Sequence, residues 1–272
     1  MAFVENEKIE LLLDKINKKQ IWDEIPVFCF SSDVDWASEN VMKEYFHIID
    51  RLDLKPTLFV THESKIIEQN FKLGKIDRGI HPNFMENSSQ GNSFDEIASY
   101  CVKLAPEAYG FRCHRFFEVN DVTHLLKTKY LLKYVSNVST ILQANIRPFL
   151  HRSGLVNIPV FLEDGTVLYN QLDLDFKKYL SLFNTPGIKT ISFHPMNFVF
   201  NSPNMSFMRH IKDSLTREEY SNITTENIDK LRNMGMGITQ TILDIVKYVK
   251  EKHFPIMSLN EIYNTVLGGV LS

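Results

Sequence analysis

Residues 27–36 are Val27-Phe28-Cys29-Phe30-Ser31-Ser32-Asp33-Val34-Asp35-Trp36, an apolar run that ends in two acids. Pro26 precedes the run and small polar residues follow it, which favours a short buried strand over a helix. Asp33 and Asp35 then lie just past the C-terminal end of a strand, where ligands bind in parallel α/β folds. Because side chains alternate along an extended chain, both carboxylates point to the same side. In one interpretation the two carboxylates share a cation or a proton. In the other, Asp33 caps the following helix and Asp35 is solvated.

Strand and helix patterns alternate along most of the chain. Residues 38–52 have apolar residues at helical spacing with Ser38 as N-cap, and residues 57–61 form the next short apolar strand. The same patterns predict strands at residues 109–116, 134–136, 187–193 and 255–258, and helices at residues 6–18, 64–71, 93–104, 121–129, 173–183 and 225–252. A closing helix is predicted to begin at Ser258. This repetition is typical of a parallel sheet, and six or seven units favour a distorted or incomplete (β/α) barrel over an open sheet.

One segment departs from this alternation. Residues 157–169 contain two β-rich runs separated by Asp164-Gly165. Asp-Gly between such runs is a strong turn signal, so an antiparallel β-hairpin is predicted here, as an insertion that decorates the α/β barrel.

Length and composition indicate one large domain. The 272 residues are 44% hydrophobic, so a single barrel domain covers residues 1–272, with residues 1–22 as an appended N-terminal helix. The formal net charge of −3 includes no long block of either sign, which argues against a nucleic-acid partner. No apolar run reaches membrane-spanning length, and the amino terminus lacks a signal-peptide pattern. Three cysteines without paired spacing favour a reducing compartment, and a cytoplasmic location is predicted.

Histidines and acids concentrate at the ends of the predicted strands. Four of the nine histidines take such positions: His62, His81, His114 and His194. A barrel gathers these strand ends at one rim, together with the acids at positions 33 and 35. Carboxylate plus imidazole is a catalytic ligand set for zinc or a similar divalent metal. A metal-activated water beside a spare carboxylate and a spare histidine then provides nucleophile, base and acid.

The order of these motifs resembles a known family. The two acids are followed by Gly79-Ile80-His81-Pro82, by Phe111-Arg112-Cys113-His114 and by a strand that ends in His194. Over roughly residues 26–200 this order is similar to the polysaccharide deacetylases of carbohydrate esterase family 4, which have the NodB-homology fold. It is most similar to their divergent, intracellular, polysaccharide-biosynthesis members with a His-Pro-Asn-Phe motif. The resemblance implies a distorted (β/α) barrel that removes N- or O-acetyl groups from sugars.

The resemblance also implies one divalent metal, with zinc ranked before iron, cobalt or manganese. Asp33 is implied as the general base, and Asp35 and His81 as metal ligands. Val34 separates two acids that are adjacent in the family, which leaves the division of their roles open.

The third metal ligand has no direct counterpart in this sequence. The family's second metal histidine falls at Met85, whose thioether is a poor ligand for a hard cation. Asn83, a residue of the loop 87–92 and His114 are the replacements considered. His114 is ranked first because imidazole is the better ligand.

The remaining implied roles concern catalysis. Arg112 matches the arginine that orients the base, because a nearby guanidinium keeps a carboxylate ionised and fixes its direction. His194 matches the histidine that protonates the departing amine. Asp33 would take the proton of the attacking water.

A small-molecule or glycan substrate is expected to meet side chains close to these motifs. The residues considered for substrate binding are Trp36, Asn83, Phe84, Arg115 and Asn197. The aromatic rings serve either as a sugar-stacking wall or as core. Arg115 is either a ligand for a phosphate or acidic sugar, or a surface cation.

The function predicted from the sequence is a metal-dependent hydrolase that removes an N-acetyl or other acyl group from an amino sugar. Its context is surface-polysaccharide or glycan-precursor biosynthesis. Two alternatives are a catalytically inactive relative that binds carbohydrate and a deformylase on the same barrel. The oligomeric state is not predicted.

Overall fold

The fold consists of short strands and helices that alternate along most of the chain. The computed structural model describes residues 2–268, apart from the side chains of residues 2–8 and 217. The strands are β1 (Pro26–Asp33), β2 (Thr57–Val60), β3 (Asp77–Ile80), β4 (Gly110–Phe111), β5 (Tyr134–Val135), β6 (Phe149–Leu150), β7 (Val156–Asn157), β8 (Leu162–Glu163) and β9 (Gly187–Ser192). The helices are α1 (Ala2–Asn17), α2 (Glu39–Arg51), α3 (Lys65–Lys72), α4 (Phe94–Leu104), α5 (Asn120–Thr128), α6 (Asp164–Tyr169), α7 (Leu180–Phe183), α8 (Pro195–Val199), α9 (Met205–Asp213), α10 (Arg217–Ser221), α11 (Thr225–Leu231), α12 (Ile238–Glu251) and α13 (Leu259–Val266).

Serine caps fix where several of the predicted helices begin. The hydroxyls of Ser38, Ser64, Ser93 and Ser258 each accept a hydrogen bond from the amide three residues later. Such a bond satisfies one of the free N–H groups at a helix start. These helices therefore start within one or two residues of their predicted positions.

All nine strands belong to one sheet, in the order β6-β7-β5-β4-β3-β2-β1-β9-β8. Every neighbouring pair is parallel except β6 with β7. Only four residues separate β7 from β8, yet β7 pairs with β5 and β8 pairs with β9. Between them Val160 bridges to Ser139, and the Phe161 amide donates to the Thr190 carbonyl at 2.9 Å. The sheet therefore curls back on itself, which confirms the predicted incomplete barrel.

The predicted hairpin around Asp164-Gly165 is wrong. Leu162–Glu163 pairs in parallel with β9, and Asp164 begins helix α6. The Glu163 carboxylate accepts the Thr166 amide at 2.8 Å and so caps this helix, which turns the Asp-Gly pair into a helix start. A hairpin is present earlier in the chain, where β6 pairs antiparallel with β7.

Several other predicted elements differ in extent. The strand predicted at residues 109–116 is only Gly110–Phe111, and the helix predicted at residues 173–183 is α-helical only over Leu180–Phe183, after a 3₁₀ turn. The long helix over residues 225–252 is two helices, α11 and α12, interrupted between Leu231 and Ile238. The Asn201 side chain accepts the Thr239 amide at 3.0 Å and donates to the carbonyls of Asn233 and Gly235, which stabilises the interruption. Of the last predicted strand, only Ile256 forms a bridge, to Phe28.

Strand β1 lies between two apolar clusters and is buried along its whole length. Phe28 and Phe30 belong to the larger cluster, and Val27 and Cys29 to a smaller one. Because side chains alternate along a strand, Ser31 and Asp33 lie on the same face of β1 as Val27 and Cys29. One face of β1 is thus apolar at its start and polar at its end, where the site is built.

One buried cation lies away from the rim. Lys189 in β9 is fully buried, its Nζ donates to the Thr185 hydroxyl at 2.8 Å, and it lies 4.5 Å from the centre of the Phe161 ring. Burial lowers the pKa of Lys189 to about 8. The unfolded lysine keeps its proton to a pH of about 10.

The free energy of unfolding is therefore expected to change with pH above pH 8, where native Lys189 loses its proton. The unfolded state binds more protons than the native state between pH 8 and 10, so this group makes stability rise with pH across that window. Relative to Lys189→Met, the wild-type free energy of unfolding should increase by about 1–2 kcal/mol from pH 7.5 to pH 10. Urea unfolding of both proteins at the two pH values measures this, and a constant difference would contradict it.

Within residues 2–268, no helix has the length and apolar character needed to cross a membrane. The assignment of the whole chain to one domain stays a prediction.

Candidate active site

A buried carboxylate and a buried arginine form an ion pair at the end of β1. Asp33 Oδ1 accepts a hydrogen bond from Arg112 Nη1 at 2.8 Å. Asp33 is 3% exposed and Arg112 is fully buried, so solvent screens this pair weakly. Arg112 follows β4, and its amide continues the pairing with β3 by donating to the Ile80 carbonyl. The sheet register therefore brings together two residues that are 79 positions apart.

The guanidinium of Arg112 is held by further hydrogen bonds. It donates to the Ser192 hydroxyl at 2.6 Å, to the Ser136 hydroxyl at 2.9 Å and to the Ser31 hydroxyl at 3.2 Å. Its Nε donates to the Ser136 carbonyl at 3.0 Å, and the Phe59 ring lies 4.4 Å from the guanidinium carbon. These contacts satisfy a buried charge and fix the direction from which it meets Asp33.

Three metal-ligand side chains converge beside this pair. Asp35 Oδ1 lies 3.0 Å from His114 Nδ1 and 3.2 Å from His81 Nε2. The ligand atoms of the three residues all lie within 4.8 Å of one another. His81 is almost completely buried, and the other two side chains are partly open to solvent. All three were predicted as ligands, and the structure brings them together.

The turns after β1 and β4, which carry Asp35 and His114, both contain residues in the left-handed backbone conformation. Asp35 and Trp36 have φ of 44° and 58°, and Arg115 and Phe116 have φ of 56° and 53°. Such conformations cost about 1–3 kcal/mol each at residues other than glycine and concentrate at functional sites. The turn after Asp35 places the Trp36 ring edge-on to the His114 ring, with centroids 5.4 Å apart.

The charge state of Asp35 is set by its histidine neighbours. Burial raises the pKa of Asp35, but hydrogen bonds from His114 and His81 and the nearby charge of His194 outweigh burial. The pKa of this carboxyl is therefore well below its usual range. An ionised carboxylate is the form that a cation requires.

Gln90 connects the loop 81–92 to the chain that follows β2 and β3. The buried Gln90 side chain donates to the carbonyls of Thr61 and His81 at 3.0 and 3.2 Å and accepts the Asn83 amide at 2.7 Å. Met85, where the family would have a histidine, is 37% exposed. Asn83 Oδ1 accepts the Met85 amide, so that oxygen is already engaged within the loop.

The Asp164 carboxylate contacts His194 on the side of the ring away from Asp35. Its Nδ1 lies 2.7 Å from Asp164 Oδ1, and its backbone amide donates to Asp164 Oδ2. Its Nε2 lies 3.5 Å from Asp35 Oδ2 and therefore faces the cluster. Burial lowers the pKa of His194, but the charge and hydrogen bond of Asp164, with the charges of Asp35 and Asp33, raise it well above the usual range.

Asp164 is a candidate site residue that the sequence did not indicate. It lies directly after β8, which is the same strand-end position that identified the other rim residues. The Asp-Gly turn signal hid this position, because a turn interpretation removes the strand end. Glu163 lies beside it, and burial together with the Asp164 charge raises the pKa of Glu163.

The predicted substrate-binding residues differ in how accessible they are. Trp36 is 36% exposed at the rim, and Arg115 is exposed on the neighbouring turn. Phe84 is buried against Phe94 and Phe117, so its ring packs in an aromatic cluster rather than facing solvent. The side-chain amide of Asn197 donates a hydrogen bond to Asp164 Oδ2 at 3.0 Å and so helps to hold that carboxylate in place. Their binding roles stay predictions.

The chain is an incomplete α/β barrel with carboxylate, imidazole and guanidinium groups at its rim, and a family model assigns this arrangement to the carbohydrate deacetylases. Residues 30–212 match the model of the WbmS-like polysaccharide deacetylases. The chain therefore belongs to this polysaccharide deacetylase family. A search of curated proteins finds no significant match.

One solved structure has the same fold, and two others show a weaker likeness. A Bordetella bronchiseptica protein assigned as a polysaccharide deacetylase involved in O-antigen biosynthesis has a TM-score of 0.70 and 22% identity, covering 82% of this chain and 90% of that one. A peptidoglycan N-acetylglucosamine deacetylase matches with a TM-score of 0.44 and 14% identity, covering 86% of each chain. A family 4 acetyl xylan esterase from Clostridium thermocellum matches with a TM-score of 0.43 and 11% identity, covering 90% of this chain and 93% of that one.

Proposed function

We propose that the protein is a metal-dependent deacetylase that hydrolyses the N-acetyl group of an amino sugar during surface-polysaccharide biosynthesis. The observation that carries the proposal is the convergence of Asp35, His81 and His114 beside an arginine-held Asp33 and a carboxylate-held His194. The O-antigen context described for the Bordetella relative supports the choice of pathway class. A cytoplasmic location stays a prediction.

The donor set fits a single divalent cation. Two nitrogens and one carboxylate oxygen are the ligands typical of catalytic zinc sites, in which a further position stays open. Ligands about 2.0–2.1 Å from zinc are about 3 Å apart, and Asp35 Oδ1 lies 3.0 and 3.2 Å from the two imidazole nitrogens. Asp35, His81 and His114 would hold the cation. When bound, a divalent cation polarises a carbonyl group and makes water more acidic.

Asp33 would act as the general base. The Arg112 guanidinium donates to its carboxylate and fixes its direction, since Arg112 is itself held by three serine hydroxyls. A carboxylate in this state accepts a proton from the water that attacks the acyl carbon. Asp35 is engaged by both histidines and is therefore the ligand rather than the base.

His194 would act as the general acid. The Asp164 carboxylate accepts from Nδ1, so the second nitrogen, Nε2, is the one that faces the reacting groups. The raised pKa keeps the imidazole protonated near neutral pH, which is the form that can donate. Proton donation from Nε2 to the leaving nitrogen would release the amino sugar.

Gln90 is expected to matter for metal binding although it is not a ligand. Its side chain bonds to the backbone of His81 and of the neighbouring loop, so Gln90→Ala releases the segment that carries one ligand. Loss of such a supporting group typically weakens metal affinity about 10- to 100-fold. Competition with a zinc-binding dye measures the change. The exposed Gln69→Ala is the control, and equal affinities of the two variants would argue against this role.

Acetate release tests the proposed reaction. Zinc-loaded protein should release acetate from N-acetylated amino sugars, supplied free, nucleotide-linked and polymeric, and a chelator should abolish the release. Adding zinc back should restore it. Formate release from N-formyl sugars in place of acetate would instead support the deformylase alternative.

The inactive carbohydrate-binding alternative makes a different prediction. It requires sugar binding without turnover at any metal concentration. The main support for this alternative is that Met85 stands where the family has a metal-binding histidine. In this chain, however, His114 lies with Asp35 and His81 and offers a third donor in its place. Saturable sugar binding with no product from the whole panel would favour it.

A further inference from the structure

A cavity of about 330 Å³ opens beside His194 and Asp35. Its walls come from four helices, α6, α8, α9 and α10. The side chains that define it, called the methionine chamber here, are Leu168, Met196, Met205, Met208 and Tyr220. Leu168 is buried and Met205 is 51% exposed, so the chamber extends from the core to the surface.

The chamber offers alkyl and thioether surface from Leu168 and its methionines, and the Tyr220 hydroxyl adds a polar group. Asn197 also lines it, but its amide is bonded to Asp164 and its carbonyl oxygen accepts from Ser202. Gly165 adds no side chain, and Asp35 and His194 belong to the reacting centre. Sugar hydroxyls require hydrogen-bonding partners, whereas unbranched methionines adapt to alkyl chains of different length.

The size of the chamber exceeds the needs of an acetyl group. A water-sized group takes about 30 Å³, so the chamber corresponds to about ten such groups. An acetyl group has one methyl beyond its carbonyl. The excess volume lies next to Asp35, the proposed metal ligand, and His194, the proposed proton donor.

We propose that the methionine chamber receives the alkyl chain of the scissile acyl group, so that the protein removes acyl groups of about four to six carbons in addition to acetyl. The proposal rests on the function proposed above and specifies its substrate class. The reaction stays a hydrolysis: water adds to the acyl carbon, the C–N bond breaks, and a carboxylate and an amine leave.

Alkyl hydroxamates of two, four and six carbons are suitable probes. A hydroxamate binds a site metal through its two oxygens, and its chain then occupies the place of the acyl chain. Each methylene fully buried in the chamber should tighten binding about fourfold, so the four extra methylenes of the six-carbon probe should tighten binding by up to about 250-fold relative to acetohydroxamate. Calorimetric titration of the zinc-loaded protein measures the series.

Met208→Trp fills the chamber and is expected to abolish the dependence on chain length while keeping acetohydroxamate affinity within about twofold. Met234→Trp is the matched control, because Met234 is 90% exposed and lies outside the chamber. Wild-type affinities that do not rise with chain length, or a Met208→Trp series as steep as that of the control, would overturn the proposal. Acetohydroxamate binding would still be intact in that case. If acetohydroxamate also fails to bind, the metal site fails and this proposal fails with it.

Discussion

Asp33→Asn is expected to lower kcat for deacetylation by about 10²- to 10⁴-fold while the bound zinc stays at the wild-type level. Asn has the shape of Asp and still accepts a hydrogen bond from Arg112, but it cannot take a proton from water. Asp33 makes its ion pair with Arg112, whereas Asp35 is the acid that contacts both imidazoles. Product release and zinc content should therefore be measured on the same preparation.

Two variants complete the test of Asp33. Asp35→Asn is expected to lose zinc and activity together, and Asp121→Asn, on the exposed start of α5, should change neither. The two acids would have to exchange roles if Asp33→Asn lost the metal and Asp35→Asn kept it.

Arg112→Met is expected to lower the free energy of unfolding by about 3–5 kcal/mol. The variant leaves the Asp33 carboxylate buried without its partner, and it removes the donors to three serine hydroxyls. An uncompensated buried charge costs far more than the pair contributes when it is intact. Urea unfolding measures the loss.

A second arginine and a double variant distinguish the unpaired charge from lost packing. Arg78 is also nearly buried, but its partners Glu68 and Glu107 are 43% and 33% exposed, so Arg78→Met should cost only about 1–2 kcal/mol. Combining Asp33→Asn with Arg112→Met removes the unpaired charge and should recover part of the stability. Equal losses in Arg112→Met and Arg78→Met would contradict the buried-charge account.

Local patterns were sufficient to predict most of the barrel. The strand at Val27 and the serine-capped helices depend on nearby residues, and parallel strands place their C-terminal ends at one rim whatever lies between them. This is why Asp33, His81, Arg112 and His194 could be grouped from the sequence. The structure places all four there, and their roles stay proposals.

The errors arose where a distant partner decides the local structure. Asp164-Gly165 has a strong turn preference, but pairing of residues 162–163 with β9 and the cap from Glu163 outweigh it. Asp164 was missed for that reason. The sequence leaves Phe84 open between a sugar-stacking wall and the core, and the order of motifs does not reveal that it packs against Phe94 and Phe117.

The proposed third ligand, His114, shows both the strength and the limit of sequence reasoning. Met85 indicated that the family's usual histidine is missing, and ligand chemistry ranked His114 first. Only the left-handed backbone at Arg115 and Phe116 shows how the turn brings that ring to Asp35. Sequence patterns rarely predict positive φ at residues other than glycine.

The most direct test of the account is the zinc content of three proteins that are loaded with zinc, desalted and measured together. Wild type and His62→Ala should each hold about one zinc per chain, because His62 lies on a rim loop and contacts Thr61 rather than the cluster. His114→Ala should hold almost none. A wild-type protein without zinc, or a His114→Ala variant that keeps a full equivalent, would contradict the proposal that Asp35, His81 and His114 form the metal centre.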